Sequence, residues 1–341
     1  MLSTRTATAE ERSDAILRLR DPLGGRVGCV RGHHGPTIPM AYDVCFGYEI
    51  RSDLAFEYLR EGGATGVLEV AETRRVDAGE SGEPLREWLP RPDRPFTARL
   101  FREDHRWRLW VADIGSFHID PVAGSIEVPR DAPSLLREER LWGIPTVLCF
   151  LSRGDHSLHA ASVETGGRAV VFGAPGRFGK TTLAAALVGA GYRLLSEDST
   201  CLRLSAEDVA VIPGPAMLRV RRDPDRPQDV LGGRILQVDE RVHLAIEPTL
   251  RGTGDPVPVD AIVLLREADA ENPRLERVPA EEAIPDLWAL SFSTPTDEDR
   301  RRCFDGVTQL AARVPIWNLH RPMRYDALDA VIRELERVPG R

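Results

Sequence analysis

Lysine is almost missing from this chain. Its 341 residues carry 45 basic side chains besides histidine, and a single one of them, Lys180, is lysine. Lysine is ordinarily among the commonest residues, so arginine here serves wherever a generic surface cation will do. An ammonium is a compact point charge with three donors, whereas a guanidinium is a wide planar fork. The one lysine therefore marks a place where only the compact cation fits. Cysteine is also sparse. The five (Cys29, Cys45, Cys149, Cys201, Cys303) are odd in number and scattered, with no CxxC and no Cys/His pair at metal spacing. They read as buried thiols in a reducing compartment. There is no excess of positive charge: the net charge of −8 gives a nucleic-acid or anionic-membrane partner no electrostatic support. No apolar run is long enough to cross a bilayer, and the N-terminus lacks the apolar core of a signal peptide. The expectation is a cytoplasmic protein with no nucleic-acid and no membrane partner. No internal repeat is visible.

Lys180 stands in the run Gly173-Ala174-Pro175-Gly176-Arg177-Phe178-Gly179-Lys180-Thr181-Thr182. Before it lies Ala169-Val170-Val171-Phe172, apolar and of strand length. After it lies Leu183-Ala184-Ala185-Ala186-Leu187-Val188, a strong helix former closed by Gly189. Strand, glycine-rich loop and helix in that order aim main-chain N–H groups into one concavity at a helix N-terminus, where the macrodipole also favours an anion. In such a loop the Lys adds a mobile charge for outer phosphates, and the Thr hydroxyl can sit on Mg²⁺. The loop is one residue longer than the common spacing, with five residues between Gly173 and Gly179. The extra residue is expected to bulge the chain around Arg177-Phe178. The competing reading is a glycine-rich turn with an accidental Gly-Lys-Thr; strand, helix and lone lysine agree against it.

The length suits two domains. Residues 1–40 read as a poorly structured leader, with a short helix over Glu10–Arg20 and a Gly/Pro-rich loop holding His33-His34. Two adjacent histidines with no third ligand nearby are a solvated loop rather than a metal site. Residues 41–154 read as a smaller β-rich α+β domain. Tyr42, Val44, Phe46, Tyr48 and Ile50 alternate with polar or small residues as one period-two strand. Gly66–Ala71, Trp107–Val111, Phe117–Ile119 and Ile126–Val128 add short strands, expected to pair antiparallel, with a loop over Pro84–Pro95. Ser134–Arg153 is helical, its second part begun by Pro145, and joins the domains. No catalytic constellation is visible in this part, so its role reads as structural cover.

Residues 155–341 read as an α/β domain with a mixed sheet. His159–Val163 is a strand, Thr165-Gly166-Gly167-Arg168 a hairpin turn, and Tyr192–Ser196 a strand ending in Glu197-Asp198. Leu202–Ser205 and Val209–Ile212 follow, then an Arg-rich stretch (Arg219, Arg221, Arg222, Arg226). Residues 223–258 read as a loop, and Ala261–Leu265 as a strand. Thr296–Ala312 reads as a helix with a Thr296/Asp299 cap and with Phe304, Val307, Leu310 and Ala311 on its apolar side. Val314–Leu319 is a last strand, and Tyr325, Leu328, Ile332 and Leu335 mark a final helix.

Phosphoryl transfer needs phosphates held, a metal across the β- and γ-oxygens, and a group to take the nucleophile's proton. The loop supplies the first. Glu197-Asp198 supplies the others, eighteen residues beyond Lys180. A strand Tyr192–Ser196 running parallel to Val170–Phe172 ends on the same sheet edge, where one acid can bind Mg²⁺ and the other act as base. The bland alternative is a surface Glu-Asp turn. His159 opens the strand leading into the hairpin, where its ring could stabilise a phosphoryl oxygen; alone it reads equally as a satisfied strand-end histidine.

The order His159-Ala160-Ala161, Gly166-Gly167, Gly173…Gly179-Lys180-Thr181-Thr182-Leu183-Ala184 and Leu195-Ser196-Glu197-Asp198 resembles the HPr kinase/phosphorylase catalytic domain over about 155–320. Phosphoenolpyruvate carboxykinase is a wider relative. Phe46-Gly47-Tyr48 to Ser52-Asp53-Leu54 looks more loosely like the small N-terminal domain of HPr kinase-like serine kinases, some of which phosphorylate a serine of a precursor peptide. The resemblance implies ATP and Mg²⁺ as cofactors, with nucleotide contacts from Gly173, Gly176, Arg177, Phe178, Gly179, Lys180, Thr181 and Thr182. It implies metal contacts from Thr181 and Asp198, and places Glu197 at the general base and His159 at the active-site histidine. Arg251 is the match for a phosphate-contacting Arg. It also suggests a homo-oligomer. The sequence departs from the family in its longer loop, in Glu197 for Asp, and in Leu218-Arg219-Val220-Arg221-Arg222-Asp223 where the family has Arg-Gly-Leu-Gly, which argues against HPr as the substrate.

The first expectation is thus an ATP-dependent kinase acting on a hydroxyl of a peptide, a protein or a small metabolite. The others are a nucleotide-binding regulator without turnover, and a phosphorylase running the reverse reaction. The arginines of 219–226 read either as a solvated face or as the lining of a peptide groove.

Overall fold

The computed structural model describes residues 41–75, 79, 81–90, 97–112, 114–222, 233–238, 241–269 and 272–338. The expected Glu10–Arg20 helix, His33-His34, Cys29 and Arg226 lie outside them.

The first sheet is built from β1 (Tyr42–Cys45), β2 (Tyr48–Arg51), β3 (Arg60–Gly62), β4 (Gly66–Glu72), β5 (Arg86–Trp88), β6 (Ala98–Glu103), β7 (Arg106–Val111), β8 (Gly115–Asp120) and β9 (Ser125–Val128). Their order is β3-β1-β2-β4-β9-β8-β7-β6-β5. The expected single strand over Tyr42–Ile50 is two strands. Phe46 (φ 50°) and Gly47 (φ 72°) form a two-residue turn that pairs Cys45 with Tyr48, the positive-φ geometry that suits a tight hairpin. The alternation continues through the turn, so periodicity alone does not reveal it. The sheet is also mixed: β2–β4 and β4–β9 pair parallel. Parallel neighbours need long connections, and here those connections contain β3 and the β5–β8 strands.

Two short helices follow, α1 (Ser134–Leu141) and α2 (Ile144–Ser152), with Pro145 in the first turn of α2. Phe150 of α2 packs on Phe46 with the rings tilted and their centroids 5.2 Å apart. The apolar core beneath the first sheet runs on through α2 to Cys201, Ile212, Met217 and Ala245. The described residues form one compact unit.

The second sheet takes β10 (His156–Leu158), β11 (Ala160–Thr165) and β12 (Arg168–Gly173), then α3 (Lys180–Gly189), β13 (Arg193–Ser196), β14 (Thr200–Leu204) and β15 (Val209–Ile212). A separate three-stranded sheet, order β16-β18-β17, comes from β16 (Met217–Arg221), β17 (Gly233–Val238) and β18 (Arg241–Ile246). The chain returns through α4 (Pro248–Arg251), β19 (Val257–Glu267), β20 (Arg274–Val278), α5 (Ala280–Leu290), α6 (Asp297–Arg313) and β21 (Ile316–Arg321), and ends in α7 (Leu328–Leu335). The second sheet runs β10-β14-β15-β19-β12-β11-β13, with β21 beside β19 and β20 beside β21. β12–β19 and β19–β21 are parallel. The architecture is mixed α/β.

Both faces of the central strands are apolar because both are covered. Val170 and Phe172 pack with Leu183 and Leu187 of α3 and Val331 of α7. Ala169 and Val171 face Leu287 of α5 and Leu310 of α6 on the other side. Two expectations change, and one helix is added. Residues 223–258 hold β17, β18 and α4, because Leu244 and Ile246 join Leu218 and Val220 against Ala184, Ala185 and Val188 of α3. Phe304 is 49% exposed and meets Trp288 edge-on at 6.1 Å, outside the apolar side of α6. The added helix is α5, which carries Pro285 inside it. The cap of α6 forms as read: Thr296 Oγ1 accepts from the Asp299 N–H at 3.2 Å.

Candidate functional site

The hairpin β11–β12 turns through Gly166 (φ 58°) and Gly167 (φ 77°) and delivers Ala160 opposite Gly173. The strand β13 pairs antiparallel with β11 rather than lying next to β12. Two antiparallel steps make β13 run in the direction of β12, so Glu197 and Asp198 emerge at the loop edge. A chain of buried hydroxyls fixes this turn. Ser162 Oγ and Ser196 Oγ are 2.8 Å apart, Ser196 Oγ and Thr200 Oγ1 2.7 Å, and Thr200 Oγ1 donates to Ala160 O at 2.9 Å. From the first sheet, buried Arg60 donates to Gly214 O (2.6 Å) and to Leu195 O (3.1 Å). Burial lowers the Arg60 pKa to about 9.

Pro175, Gly176 and Arg177 are exposed. Arg177 and Gly179 both lie at φ 70°, so the chain turns where the extra residue was expected to bulge it. The first bond of α3 runs from the Leu183 N–H to Gly179 O at 2.9 Å. The N–H groups of Lys180, Thr181 and Thr182 come before it and carry the positive end of the helix.

Lys180 is 7% exposed. Its ammonium donates to Ala174 O (2.8 Å), Pro175 O (3.3 Å) and His159 Nε2 (2.9 Å). An ammonium only donates, so His159 Nε2 is the acceptor and the ring proton sits on Nδ1. That proton faces Asp198 O at 3.2 Å and Asp198 Oδ1 at 3.4 Å. Burial lowers the Lys180 pKa, against the opposing pull of Asp198 and Glu197.

Glu197 is buried, and both its oxygens are engaged. Thr181 Oγ1 donates to Oε1 at 2.8 Å, and Arg219 Nε to Oε2 at 3.2 Å. Asp198 is exposed and forms an ion pair with Arg219 Nη2 at 3.5 Å. Desolvation would raise its carboxyl, but His159, Arg219 and Lys180 outweigh this and hold it below the usual range. The same acids hold Arg219 firmly protonated despite its burial.

The structure thus brings together Lys180, Thr181, His159, Glu197 and Asp198 beside the run 173–179. The Thr182 hydroxyl bonds to no described residue. Arg251 is placed elsewhere. Its guanidinium donates to Leu59 O (2.9 Å) and Ile246 O (3.3 Å), and the next residue, Gly252, lies against Arg193 and Glu164, at the end of the sheet away from the loop. Sequence reasoning missed Arg219 as part of the site. The signal was its place between Leu218 and Val220, whose burial turns Arg219 to the opposite face of β16.

Among the described residues, no group of three or more His, Cys, Asp or Glu forms a ready-made metal site, and no helix is long and apolar enough to cross a membrane. No described protein family matches the chain, and no curated protein does. Among solved structures, an HPr(Ser) kinase/phosphatase from Coxiella burnetii aligns with 53% of this chain and 95% of its own, at 13% identity and a TM-score of 0.29. A likeness of that degree decides nothing about the site.

Proposed function

We propose that the loop 173–182 holds the phosphates of a nucleoside triphosphate, and that the site transfers the terminal phosphoryl group to a hydroxyl. The observation that carries this reading is the pairing at the start of α3: Thr181 with Glu197 at 2.8 Å, and Lys180 with His159 at 2.9 Å. A helix start, a lysine, a hydroxyl and two acids are the parts phosphoryl transfer requires.

Magnesium takes one or two carboxylates beside water and phosphate oxygens, and the hydroxyl–carboxylate pair of Thr181 and Glu197 fits that demand. When bound, Mg²⁺ neutralises charge on the phosphate oxygens. The contacts favour a division of labour between the acids. Glu197, with both oxygens engaged by Thr181 and Arg219, is the fixed carboxylate and serves the metal side. Asp198, exposed and braced by His159, takes the proton of the incoming hydroxyl, so the two acids exchange the roles that the family resemblance implies. Lys180 supplies the charge for the outer phosphates. A peptide serine and a metabolite alcohol both satisfy this chemistry.

Labelled ATP added to a host extract, then separated by size, tests the reading. Label in the protein or in the small-molecule fraction names the acceptor class. Undiminished transfer by Lys180→Arg would sink the assignment. The fully engaged Lys180 and Glu197 also favour a second reading, a nucleotide-binding regulator. Tight ATP binding with no ADP release beside any acceptor would select it.

A further inference from the structure

The last strand of the sheet ends against the loop. Its final residue, Arg321, is 4% exposed, and its Nη2 donates to Phe178 O at 2.6 Å. No other described residue bonds to this guanidinium. Its Nε is buried without a partner. Glu267 stands opposite in the β19–β21 ladder, yet no described carboxylate comes within ion-pair distance. A guanidinium carries five N–H donors, so most of this one is unspent, and a buried charge without a counter-ion is costly. Burial accordingly lowers its pKa, with Glu267 opposing.

The surroundings make the arrangement stranger still. A Cβ on Gly179 would lie 2.8 Å from Arg321 Nη2, so glycine at the helix cap leaves that space to the arginine. Gly179 caps α3, whose first turn is itself positive. Two positive features abut with no acid between them, an arrangement that an anion touching both would relieve. The peptide joining Phe178 to Gly179 is trans. Its C=O and N–H therefore point in opposite directions, so the hold on Phe178 O turns the Gly179 N–H away from Arg321.

We propose that Arg321 is a second cation of the phosphate site, with the phosphate chain of the bound nucleotide as its counter-ion, and that its bond to Phe178 O sets the loop for that anion. This rests on the nucleotide-binding reading above.

The test compares the full chain with Arg321→Met and Arg321→Lys by calorimetric titration with MgATP, inorganic pyrophosphate and adenosine, together with thermal unfolding. Arg321→Met should weaken MgATP and pyrophosphate about 10–100-fold, the range of a charge-assisted hydrogen bond, and leave adenosine unchanged. Arg321→Lys should recover part of the loss. Without ligand, Arg321→Met should unfold at the same temperature or higher, because an unpaired charge has been removed, while the MgATP-induced shift shrinks. If Arg321→Met binds both anions like wild type, or only unfolds earlier with affinity intact, the arginine is structural; this inference falls and the nucleotide reading stands. If the folded wild type binds neither MgATP nor pyrophosphate, the nucleotide reading fails and takes the inference with it.

Discussion

Arg219→Met isolates the electrostatics of the acid pair. Arg219 and Glu197 keep only 12% and 2% of their side-chain surface exposed. Removing one partner of a buried pair strands the other charge, at a cost of about 3–5 kcal/mol. Glu197 keeps its hydrogen bond from Thr181, which places the variant at the lower end, about 3 kcal/mol. That is a large share of a net stability of roughly 5–15 kcal/mol. Asp198, 54% exposed, should contribute little, since exposed pairs give about 0–1 kcal/mol. The assay is urea unfolding of Arg219→Met, Glu197→Gln, Asp198→Asn and the two double variants. Adding Glu197→Gln should recover about 2 kcal/mol of the deficit, whereas adding Asp198→Asn should recover nothing beyond error. Additive behaviour of Arg219→Met with Glu197→Gln, or a single-variant loss within about 0.5 kcal/mol of zero, would refute the claim that Arg219 is the counter-charge of Glu197.

Other consequences are equally direct. The carboxyl of Asp198 is depressed in the folded state by His159, Arg219 and Lys180 against desolvation, so its stabilisation is full above the unfolded aspartate value of about 4 and lost as pH falls through the lower folded value. The melting-temperature gap between wild type and Asp198→Asn should therefore be flat from neutral pH down to about 5 and close in stronger acid. Gly179→Ala places a Cβ at φ 70° and 2.8 Å from Arg321. It should cost about 1–2 kcal/mol and weaken MgATP binding by more than Thr182→Ala does, measured by the same titrations. Arg251→Met, whose contacts are carbonyls of Leu59 and Ile246, should lower stability while leaving the affinity for MgATP within about twofold; a large loss of affinity would place it in the site after all.

The strand–loop–helix unit was legible because every local signal agreed. An apolar strand, a glycine-rich turn and a run of helix formers describe one object at three scales. The hairpin Gly166-Gly167 and the cap Thr296 were legible for the same reason, since each needs only its own neighbours. The strands β17 and β18 were not. Their apolar residues lie among Arg234, Gln237, Arg241 and His243 and among Gly, Pro and Asp, and β18 is held by contacts of Leu244 and Ile246 with α3 that sequence spacing does not display. Arg219 escaped for a related reason. Four arginines close together look like a wet surface, and only the burial of Leu218 and Val220 turns the first of them inward.

The acid pair shows how a correct placement can follow from an incorrect neighbour. The acids reach the loop edge whenever the strand before Glu197 runs in the direction of the strand ending at Gly173. Direct parallel pairing achieves that, and so does an intervening strand antiparallel to both. The chain takes the second route, with β11 between β12 and β13. The difference has a chemical consequence. Because β11 intervenes, the residue just ahead of it, His159, stands between the lysine and the acids, within 2.9 Å of Lys180 Nζ and 3.4 Å of an Asp198 oxygen. Direct pairing of β12 with β13 would have left no strand start there. The histidine thus occupies the site because of the hairpin, and breaking the hairpin should uncouple it. Replacing Gly166-Gly167, both at positive φ, with Val-Val removes the turn that the hairpin requires. The expected result is loss of nucleotide affinity together with stability; a variant that stays folded and binds MgATP as wild type does would show that the hairpin does not set the position of His159.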